Sequence, residues 1–471
     1  MKHQQAAVNF ALTNNGIAAF FHEVGCGKTL SALSTFTELR KKDPTLKMLV
    51  ICPLSLIYGA WVREIEKFTD FGWYDFHGWK FRSFGTNFDI CILNFESLIS
   101  EKKFFELKEL LSKVPGWLCV IDESSKLKNN SAKTVERILA LKKYFKHRII
   151  MSGTPAPNVE WEYWPQMYFL NESILGDNFY RFKNTHFILK RGNQFVPGQY
   201  LNRASIRKMH EQGFKYEINP ARKEEMFKRM KPWCHQVKAI DCLDLPEELD
   251  EYRTIEMTTA QAKVYKQMKE AYIAELPADS YAVANVALTK LMKLRQITSG
   301  FAINDKGEAI TIDKTNPKLT ALMDIVEEAG IQQMIVWCQF HWEIDIVVKV
   351  LSEIAEVSQL HGRVPQGQRN EHLDNFLNGT NRFLVAHPDS AAHGLTLVNC
   401  HIAVFFSMDY SMEGYSQARG RIYRNGQRNN CLYIHLIAKG TIDEDVLAIV
   451  QRKENTQDII QKYLRNNDDE I

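Results

Sequence analysis

The fold predicted for this chain starts from Phe20-Phe21-His22-Glu23-Val24-Gly25-Cys26-Gly27-Lys28-Thr29. The apolar residues 17–21 predict a short buried strand, and a helix is predicted directly after Thr29 by Leu30, Leu33, Phe36 and Leu39. A strand, a glycine turn, a Lys-Thr pair and a helix form the context of a phosphate-binding loop. The strict pattern has a glycine where this chain has His22, so a turn that only caps a helix is the alternative.

Each residue type in such a loop has a role. Gly25 and Gly27 let backbone N–H groups close around phosphate oxygens at a helix N-terminus. The Lys28 ammonium would reach the β- and γ-phosphates, and the Thr29 hydroxyl would ligate Mg²⁺. These four residues are therefore candidates for binding a nucleotide and its metal ion.

The composition narrows the class of protein. With 471 residues, of which 45% are hydrophobic, the chain can form two large or three smaller domains, and disorder is not expected. No apolar run is long enough to cross a bilayer and the N-terminus lacks a secretory signal, so we expect a soluble intracellular protein. The nine cysteines include no C-x-x-C pair, which argues against a zinc ribbon or a disulfide framework.

The net charge of +3 is unevenly distributed along the chain. Residues 181–231 contain 13 Lys and Arg against 4 Asp and Glu, which gives this segment a charge of +9. Such a segment predicts a surface that faces a polyanion, although a solvated helical surface would have the same composition.

The first 155 residues alternate between strand and helix patterns. Short apolar runs at residues 17–21, 48–52, 90–95, 118–121 and 148–151 are separated by amphipathic stretches, which predicts a parallel sheet covered by helices on both faces. Ligands of such sheets bind at the carboxyl ends of the strands. Polar residues follow the predicted strands at these ends: Ser55, residues 94–96, Asp122, Glu123 and residues 152–155.

Asp122 and Glu123 end the fourth of these strands. Asp122 would hold Mg²⁺, and Glu123 would polarise an attacking water as a general base. Two exposed acids at the start of a helix are the alternative, but their position after a phosphate-loop pattern favours a catalytic pair.

The alternation of strand and helix patterns stops after the first lobe and returns near Lys318. We predict a first α/β lobe at residues 1–165, a mostly helical, basic insertion and connector at 166–310, and a second α/β lobe at 311–471. Five strands are expected in the second lobe, at residues 334–338, 357–360, 382–386, 402–406 and 432–437.

The most informative stretch of the second lobe is residues 417–427, Q-A-R-G-R-I-Y-R-N-G-Q. Arg421 and Arg424 are three residues apart and would share one face of a helix. Two guanidinium groups that face a cleft could stabilise charge on a transferring phosphoryl group, whereas a basic surface turn is the alternative.

Taken together, the motifs resemble those of the Swi/Snf-type DNA translocases of helicase superfamily two, over nearly the whole chain and in the family's order. Residues 22–29 match the family loop D-E-M-G-L-G-K-T better than the strict phosphate-loop pattern. The other matching elements are His3-Gln4, Cys52-Pro53-Leu54-Ser55-Leu56 with Trp61 and Glu64, Asn94-Phe95-Glu96, Ser152-Gly153-Thr154-Pro155-Ala156-Pro157-Asn158, Leu294-Arg295-Gln296, His361-Gly362, Gly394-Leu395-Thr396-Leu397 and Gln417 to Gln427.

The resemblance implies two RecA-like lobes in tandem that use ATP and Mg²⁺ to move along double-stranded DNA. It implies that Gln4 reads adenine, that Gly394 joins the nucleotide site, and that Arg421 and Arg424 complete this site from the opposite lobe. The DNA contacts that it implies are Ser55, Thr154, Gln339, Arg363 and Thr396, to which the basic segment would add Arg203, Arg207 and Lys208.

Three departures from the family pattern matter. Ser125 replaces the histidine of D-E-x-H, which couples the nucleotide site to the other lobe, and Tyr410-Ser411-Met412 replaces W-N-P. The chain ends at Ile471, which suggests a minimal motor without accessory domains. We expect a bacterial or virus-encoded protein that acts in the cytoplasm, or a nuclear protein if the host is a eukaryote. The alternatives are a strand-separating helicase of the same superfamily, an inactive DNA-binding adaptor, and a motor subunit of a restriction or repair complex.

Overall fold

The computed structural model describes residues 1–78, 80–82, 88–114, 116–129, 132–157, 159–191, 194–197, 215–242, 244–274, 281–391 and 395–451. The chain forms two compact units, which divide near residue 243. No helix within these ranges is long and apolar enough to span a membrane.

The first unit contains eleven described strands. They are β1 (Ile17–His22), β2 (Lys47–Cys52), β3 (Trp73–Asp75), β4 (Lys80–Arg82), β5 (Ile90–Asn94), β6 (Trp117–Asp122), β7 (Phe145–Met151), β8 (Phe187–Arg191), β9 (Gln194–Pro197), β10 (Lys215–Ile218) and β11 (Cys234–Val237).

Helices connect these strands. The α-helices are α1 (Lys2–Thr13), α2 (Lys28–Lys42), α3 (Leu54–Leu56), α4 (Arg63–Phe68), α5 (Glu101–Ser112), α6 (Lys133–Leu141), α7 (Tyr163–Leu170), α8 (Phe179–His186), α9 (Pro220–Met230) and α10 (Ala239–Cys242). A π-helix covers Ile57–Val62, and 3₁₀-helices cover Phe95–Ile99, Ser124–Lys128, Lys142–Tyr144, Glu160–Glu162 and Lys231–Trp233.

The main sheet of this unit has the strand order β11-β1-β7-β6-β2-β5-β3-β4, in which all neighbours are parallel except β3 and β4. Alternate residues of the central strands enter two hydrophobic cores, so that Ala19 and Phe21 of β1 pack on one face and Ala18 and Phe20 on the other. Burial on both faces is the reason why these strands are continuous apolar runs in the sequence. The five strands predicted for the first lobe are confirmed, and their carboxyl ends share one edge of the sheet.

The second unit has the same kind of core. Its strands are β12 (Glu248–Ile255), β13 (Phe301–Ile303), β14 (Ala309–Thr311), β15 (Met334–Trp337), β16 (Val357–Leu360), β17 (Phe383–Ala386), β18 (Ile402–Phe405) and β19 (Cys431–Ala438). Six of them form a parallel sheet of order β12-β19-β18-β15-β17-β16. Its helices are α11 (Thr259–Ala274), α12 (Tyr281–Thr298), α13 (Pro317–Glu328), α14 (His341–Leu351), α15 (Gln366–Leu377), α16 (Pro388–Ala391) and α17 (Met412–Arg419), and residues 442–451 are also helical.

The predicted middle segment, residues 166–310, differs from the expected helical insertion. It contributes β11 to the first sheet and β12 to the second, and β8, β9 and β10 form a small antiparallel sheet of their own. The two units divide inside this segment rather than at its ends. The sequence did not predict β11, because it is an edge strand with a mixed polar sequence, which lacks the apolar pattern of the central strands.

Candidate nucleotide-binding site

The loop between β1 and α2 has the backbone of a tight glycine turn. Gly25 and Gly27 have φ angles of 86° and 69°, which residues with a Cβ rarely adopt. A Cβ at Gly27 would also lie 2.2 Å from Nε2 of Gln4. Glycine is therefore favoured at position 27 by the backbone conformation, and a larger residue would displace the Gln4 side chain.

Helix α1 brings its first turn onto this loop. Gln4 Nε2 donates a hydrogen bond to the Gly27 carbonyl at 3.4 Å, and a ring nitrogen of His3 lies 3.0 Å from the Cys26 carbonyl oxygen. The predicted adenine-reading residue, Gln4, is thus beside the loop, as its place in the motif order requires.

Lys28 is the first residue of α2 and its side chain folds back over the loop. Its Nζ donates to the carbonyl oxygens of His22 at 2.9 Å and Glu23 at 3.2 Å. The ammonium is therefore held at the entrance of the loop by two neutral carbonyl oxygens. An anionic phosphate oxygen would displace them, because a cation attracts an anion more strongly than it attracts a neutral dipole.

Asp122 lies at the end of β6 and is almost fully buried. Its Oδ2 accepts a hydrogen bond from the indole N–H of Trp61 at 3.0 Å, and its Oδ1 accepts one from the backbone N–H of Glu123, also at 3.0 Å. Burial raises the pKa of the Asp122 carboxyl, whereas the positive charge of Lys28 and these two hydrogen bonds oppose that rise. β6 is separated from β1 by one strand in the sheet, so Asp122 lies at the same carboxyl edge as the phosphate loop.

Glu123 has a φ of 55°, which is uncommon for a residue with a side chain. It precedes the 3₁₀-helix Ser124–Lys128, where the chain turns sharply at the carboxyl end of β6. Backbone strain of this kind is concentrated at functional sites, which agrees with the predicted catalytic position of Glu123.

A buried glutamine joins two of the strand-end motifs. Gln166 accepts a hydrogen bond from the Ser124 hydroxyl at 2.7 Å and donates one to the Pro155 carbonyl at 2.6 Å. Ser124 follows the acidic pair, and Pro155 belongs to the motif after β7. Neither Gln166 nor Trp61 can be assigned these roles from the sequence, because both act through contacts between residues far apart in the chain.

The residues at this sheet edge fit a nucleotide and a divalent cation. The positive-φ glycines leave room for phosphate beside a helix N-terminus, and Lys28 supplies a positive charge. The Thr29 hydroxyl and the Asp122 carboxylate are oxygen donors, which Mg²⁺ prefers. The carboxylate, the lysine and the glycine turn all lie at the carboxyl edge of one parallel sheet, where ligands of such sheets bind.

In the second unit, the arginine motif differs from the expected helix. Helix α17 ends at Arg419, and Arg421 and Arg424 lie in the turns that follow, so the prediction that they share one helix face is wrong. They nevertheless converge, because Nη1 of Arg421 and Nη1 of Arg424 both donate to the Leu395 carbonyl, at 3.2 Å and 2.6 Å. After the helix ends, the chain packs against residues 395–397, where the Leu397 N–H donates to the Arg421 carbonyl at 2.9 Å.

The predicted DNA contacts have different surroundings. Ser55 and Thr396 are exposed, Gln339 is partly exposed, and Thr154 is buried. Arg363 is exposed and pairs with Asp345. Arg203, Arg207 and Lys208 of the basic segment, and Gly394 of the predicted nucleotide site, lie outside the described residues.

Comparison with protein families gives the decisive observation. The model of the SNF2-related domain matches residues 3–300, and the model of the helicase conserved C-terminal domain matches residues 317–426. The chain belongs to the SNF2-related family. The resemblance inferred from the motifs is thus confirmed, and with it the tandem RecA-like fold and the class of helicase-like ATPase.

Individual SNF2 relatives are distant in sequence. Protein p41 of the Acyrthosiphon pisum secondary endosymbiont phage 1 is 26% identical over 94% of both chains. A Caenorhabditis elegans homologue of the SWI/SNF-related regulator of chromatin subfamily A-like protein 1 is 25% identical, and the Saccharomyces cerevisiae DNA repair and recombination protein RDH54 is 24% identical. The chain spans 60% and 50% of the lengths of these two cellular relatives.

Two solved structures of the Sulfolobus solfataricus SWI2/SNF2 ATPase core were also matched, one of them in complex with double-stranded DNA. Both are 23% identical, with TM-scores of 0.42 and 0.41. The alignments cover 98% and 96% of this chain, and 92% and 88% of the solved chains.

Proposed function

We propose that this protein is a DNA-dependent ATPase that translocates on double-stranded DNA and remodels DNA or protein–DNA complexes. The observation that carries the proposal is the joint placement of the glycine loop, Lys28 and the paired acids Asp122 and Glu123 at one sheet edge of an SNF2-family chain. The names of the relatives agree, since RDH54 is a DNA repair and recombination protein.

In this proposal each residue of the first unit has a separate task. The N–H groups of residues 25–29 and the Lys28 ammonium bind the triphosphate, and Gln4 orients the adenine. Thr29 and Asp122 would hold Mg²⁺, which neutralises charge on the phosphates when it is bound. Glu123 accepts a proton from the attacking water. Asp122 accepts hydrogen bonds from Trp61 and from the backbone N–H of Glu123, and these keep the metal-binding carboxylate oriented.

The arginines of the second unit are assigned to the same reaction. Arg421 and Arg424 would stabilise negative charge that develops on the transferred phosphoryl group, as arginine fingers do. Their shared acceptor, the Leu395 carbonyl, belongs to the motif that contains Gly394. A bound nucleotide would therefore contact the Gly394 motif and the arginine motif together. Closure of the two lobes around ATP and their reopening after hydrolysis would drive one step along the DNA.

Contacts to DNA phosphates would fix the protein on the duplex without reading sequence. Ser55 and Thr154 in the first unit, and Gln339, Arg363 and Thr396 in the second, are the proposed contacts. Arg203, Arg207 and Lys208 would add positive charge, so the affinity for duplex DNA should fall steeply as the salt concentration rises. The proposed location is the cytoplasm of a bacterial or virus-infected cell.

The test is an ATPase assay of the full chain with and without duplex DNA, together with triplex-displacement and strand-displacement assays. We expect duplex DNA to stimulate hydrolysis and the third strand of a triplex to be displaced without separation of the duplex. Lys28→Ala and Glu123→Gln should abolish turnover. Full activity in either variant would contradict the assignment, strand separation would favour the helicase alternative, and DNA binding without ATPase activity would favour an adaptor.

A further inference from the structure

A segment more than two hundred residues downstream contacts the phosphate loop. This segment, residues 234–242, consists of β11 and α10 and is called the loop strap below. β11 lies parallel to β1, with Phe20 opposite His235 and His22 opposite Val237. The loop therefore has a second support besides its own strand and helix.

The loop strap contacts the loop through both backbone and side chains. The N–H of Glu23 donates to the Val237 carbonyl at 2.9 Å, and the N–H of Ala239 donates to Glu23 Oε2 at 2.8 Å. Farther along, the sulfur of Cys242 lies 3.8 Å from that of Cys26. The loop strap thus contacts the loop at two residues, Glu23 and Cys26.

The side-chain contact nearest the start of the loop joins two histidines. His22 Nε2 and His235 Nδ1 are 2.9 Å apart, and their residues are separated by 213 positions in the chain. The His22 ring is completely buried and stacks on Phe20, and the His235 ring packs against Phe10 of α1. This pair lies between the sheet and the helix that carries Gln4.

The direction of the hydrogen bond follows from the surroundings of His22. Its other ring nitrogen, Nδ1, is buried without a partner. A buried N–H without an acceptor is rarer than a buried acceptor without a donor, so the proton belongs on Nε2. His22 therefore donates and His235 Nδ1 accepts.

Both rings must be neutral for this arrangement. Burial lowers the pKa of His22 well below its usual value and lowers that of His235 to about 4, and the neighbouring charges of Lys28 and His3 act in the same direction on His22. A neutral pair adds no positive charge beside Lys28, so the ammonium remains the dominant cation at the loop.

We propose that His235 is a positioning residue for nucleotide binding, which acts by accepting the hydrogen bond from His22. The His22 carbonyl is one of the two acceptors that hold Lys28 Nζ. His235 therefore fixes the residue at which the strand becomes the loop, and it preorganises Lys28 for the triphosphate. This inference rests on the proposed function, since it assumes that ATP binds at this loop.

The experiment compares His235→Phe with His235→Asn in the full chain. Phenylalanine keeps the ring and its packing but cannot accept, whereas the asparagine side-chain oxygen can occupy the place of Nδ1. We expect His235→Phe to raise the KM for ATP about ten-fold with kcat changed less than two-fold, and His235→Asn to stay near the wild type. The Kd of a fluorescent ATP analogue should change in parallel.

His186→Leu is the matched control. His186 is also a buried histidine of the first unit, but its Nδ1 contacts the Phe182 carbonyl of its own helix. This variant should lower the melting temperature without raising KM. An unchanged KM in His235→Phe, or an equal increase in the phenylalanine and asparagine variants, would overturn the proposal.

A second pair of variants covers the case in which His235→Phe does not fold. Glutamine at position 22 can place its amide nitrogen where Nε2 lies, whereas asparagine is too short, so only His22→Asn should raise KM. Equal KM values for these two variants would also overturn the proposal. If the wild-type chain neither binds nor hydrolyses ATP, the proposed function fails instead, and the two failures are therefore distinguishable.

Discussion

The indole nitrogen of Trp61 donates a hydrogen bond to Oδ2 of Asp122 at 3.0 Å, in a site where both side chains are almost fully buried. Trp61 lies in the π-helix Ile57–Val62, after the second strand, and Asp122 ends the strand next to it in the sheet. The proposed metal-binding carboxylate is thus oriented by a residue of a different motif.

Trp61→Phe should weaken the response of the ATPase to Mg²⁺. The substitution keeps a large apolar ring but removes the donor, which raises the pKa of Asp122 further and frees its carboxylate to rotate. We expect the Mg²⁺ concentration for half-maximal activity to rise about ten-fold or more. Trp117→Phe is the control, because Trp117 is equally buried and its N–H bonds the Leu111 carbonyl. Equal effects of the two substitutions would contradict the orienting role of Trp61.

Gln166→Leu should lower kcat more than it changes the KM for ATP. The variant leaves the Ser124 hydroxyl and the Pro155 carbonyl without their partner, at a cost to stability of about 2 kcal/mol. Since Ser124 follows Glu123, the position of the general base should relax, whereas the phosphate loop is not contacted. Steady-state kinetics and urea unfolding measure both effects.

The control for this glutamine is Gln333→Leu in the second unit. Gln333 also donates to two backbone carbonyls, those of Phe376 and Asn381. The Gln333→Leu variant should lose a comparable amount of stability. Its kcat should equal that of the wild type when the assay is run well below the melting temperature. If the two variants lose kcat to the same extent, Gln166 has only a structural role.

Arg424→Ala should spare ATP binding and reduce turnover by about 10³-fold, as expected for an arginine finger. Arg421 would retain its own hydrogen bond to the Leu395 carbonyl, so residues 395–397 should remain in place. Nucleotide titration and single-turnover hydrolysis separate binding from chemistry. An unchanged kcat would show that Arg424 does not act on the phosphoryl group.

Acid should destabilise the second unit through His435. This histidine is completely buried, with its Nε2 2.9 Å from the Tyr415 hydroxyl, and burial lowers its pKa to about 4. Between pH 6.5 and pH 4 the unfolded chain binds a proton that the folded chain rejects, so stability falls as the pH falls through this window, by about 3 kcal/mol in total.

The measurement compares the wild type with His435→Gln by urea unfolding at several pH values between 7.5 and 4.5. The variant should be less stable at pH 7.5 but should lose less stability on acidification. Parallel curves for the two proteins would show that another group is responsible for the acid sensitivity.

Thiol-specific alkylation should modify Cys242 first. All nine cysteines are free, and Cys242 alone among them is not buried. Burial raises its pKa, so the reaction should be slow at pH 7.5 and faster at pH 9. The adduct lies beside Cys26 of the phosphate loop and should lower the affinity for ATP. Cys242→Ser should resist modification and keep its activity, and modification without a change in affinity would contradict the role of the loop strap.

The central strands and the residues at their carboxyl ends can be predicted from sequence patterns alone. The apolar runs marked ten of the parallel strands, and the residues that directly follow them marked the glycine loop and the acidic pair. This succeeded because central parallel strands are buried on both faces and their ends share one edge of the sheet. The family motifs then indicated that the two lobes belong to one helicase-like ATPase.

The tertiary structure decided what depends on distant contacts. The sequence did not predict β11 because edge strands tolerate polar residues. Arg421 and Arg424 converge through a turn rather than along a helix. The contacts of Trp61 with Asp122, of Gln166 with Ser124 and Pro155, and of the loop strap with residues 22–26 leave no periodic pattern. Each depends on which elements the fold brings together, and only three-dimensional packing fixes that choice.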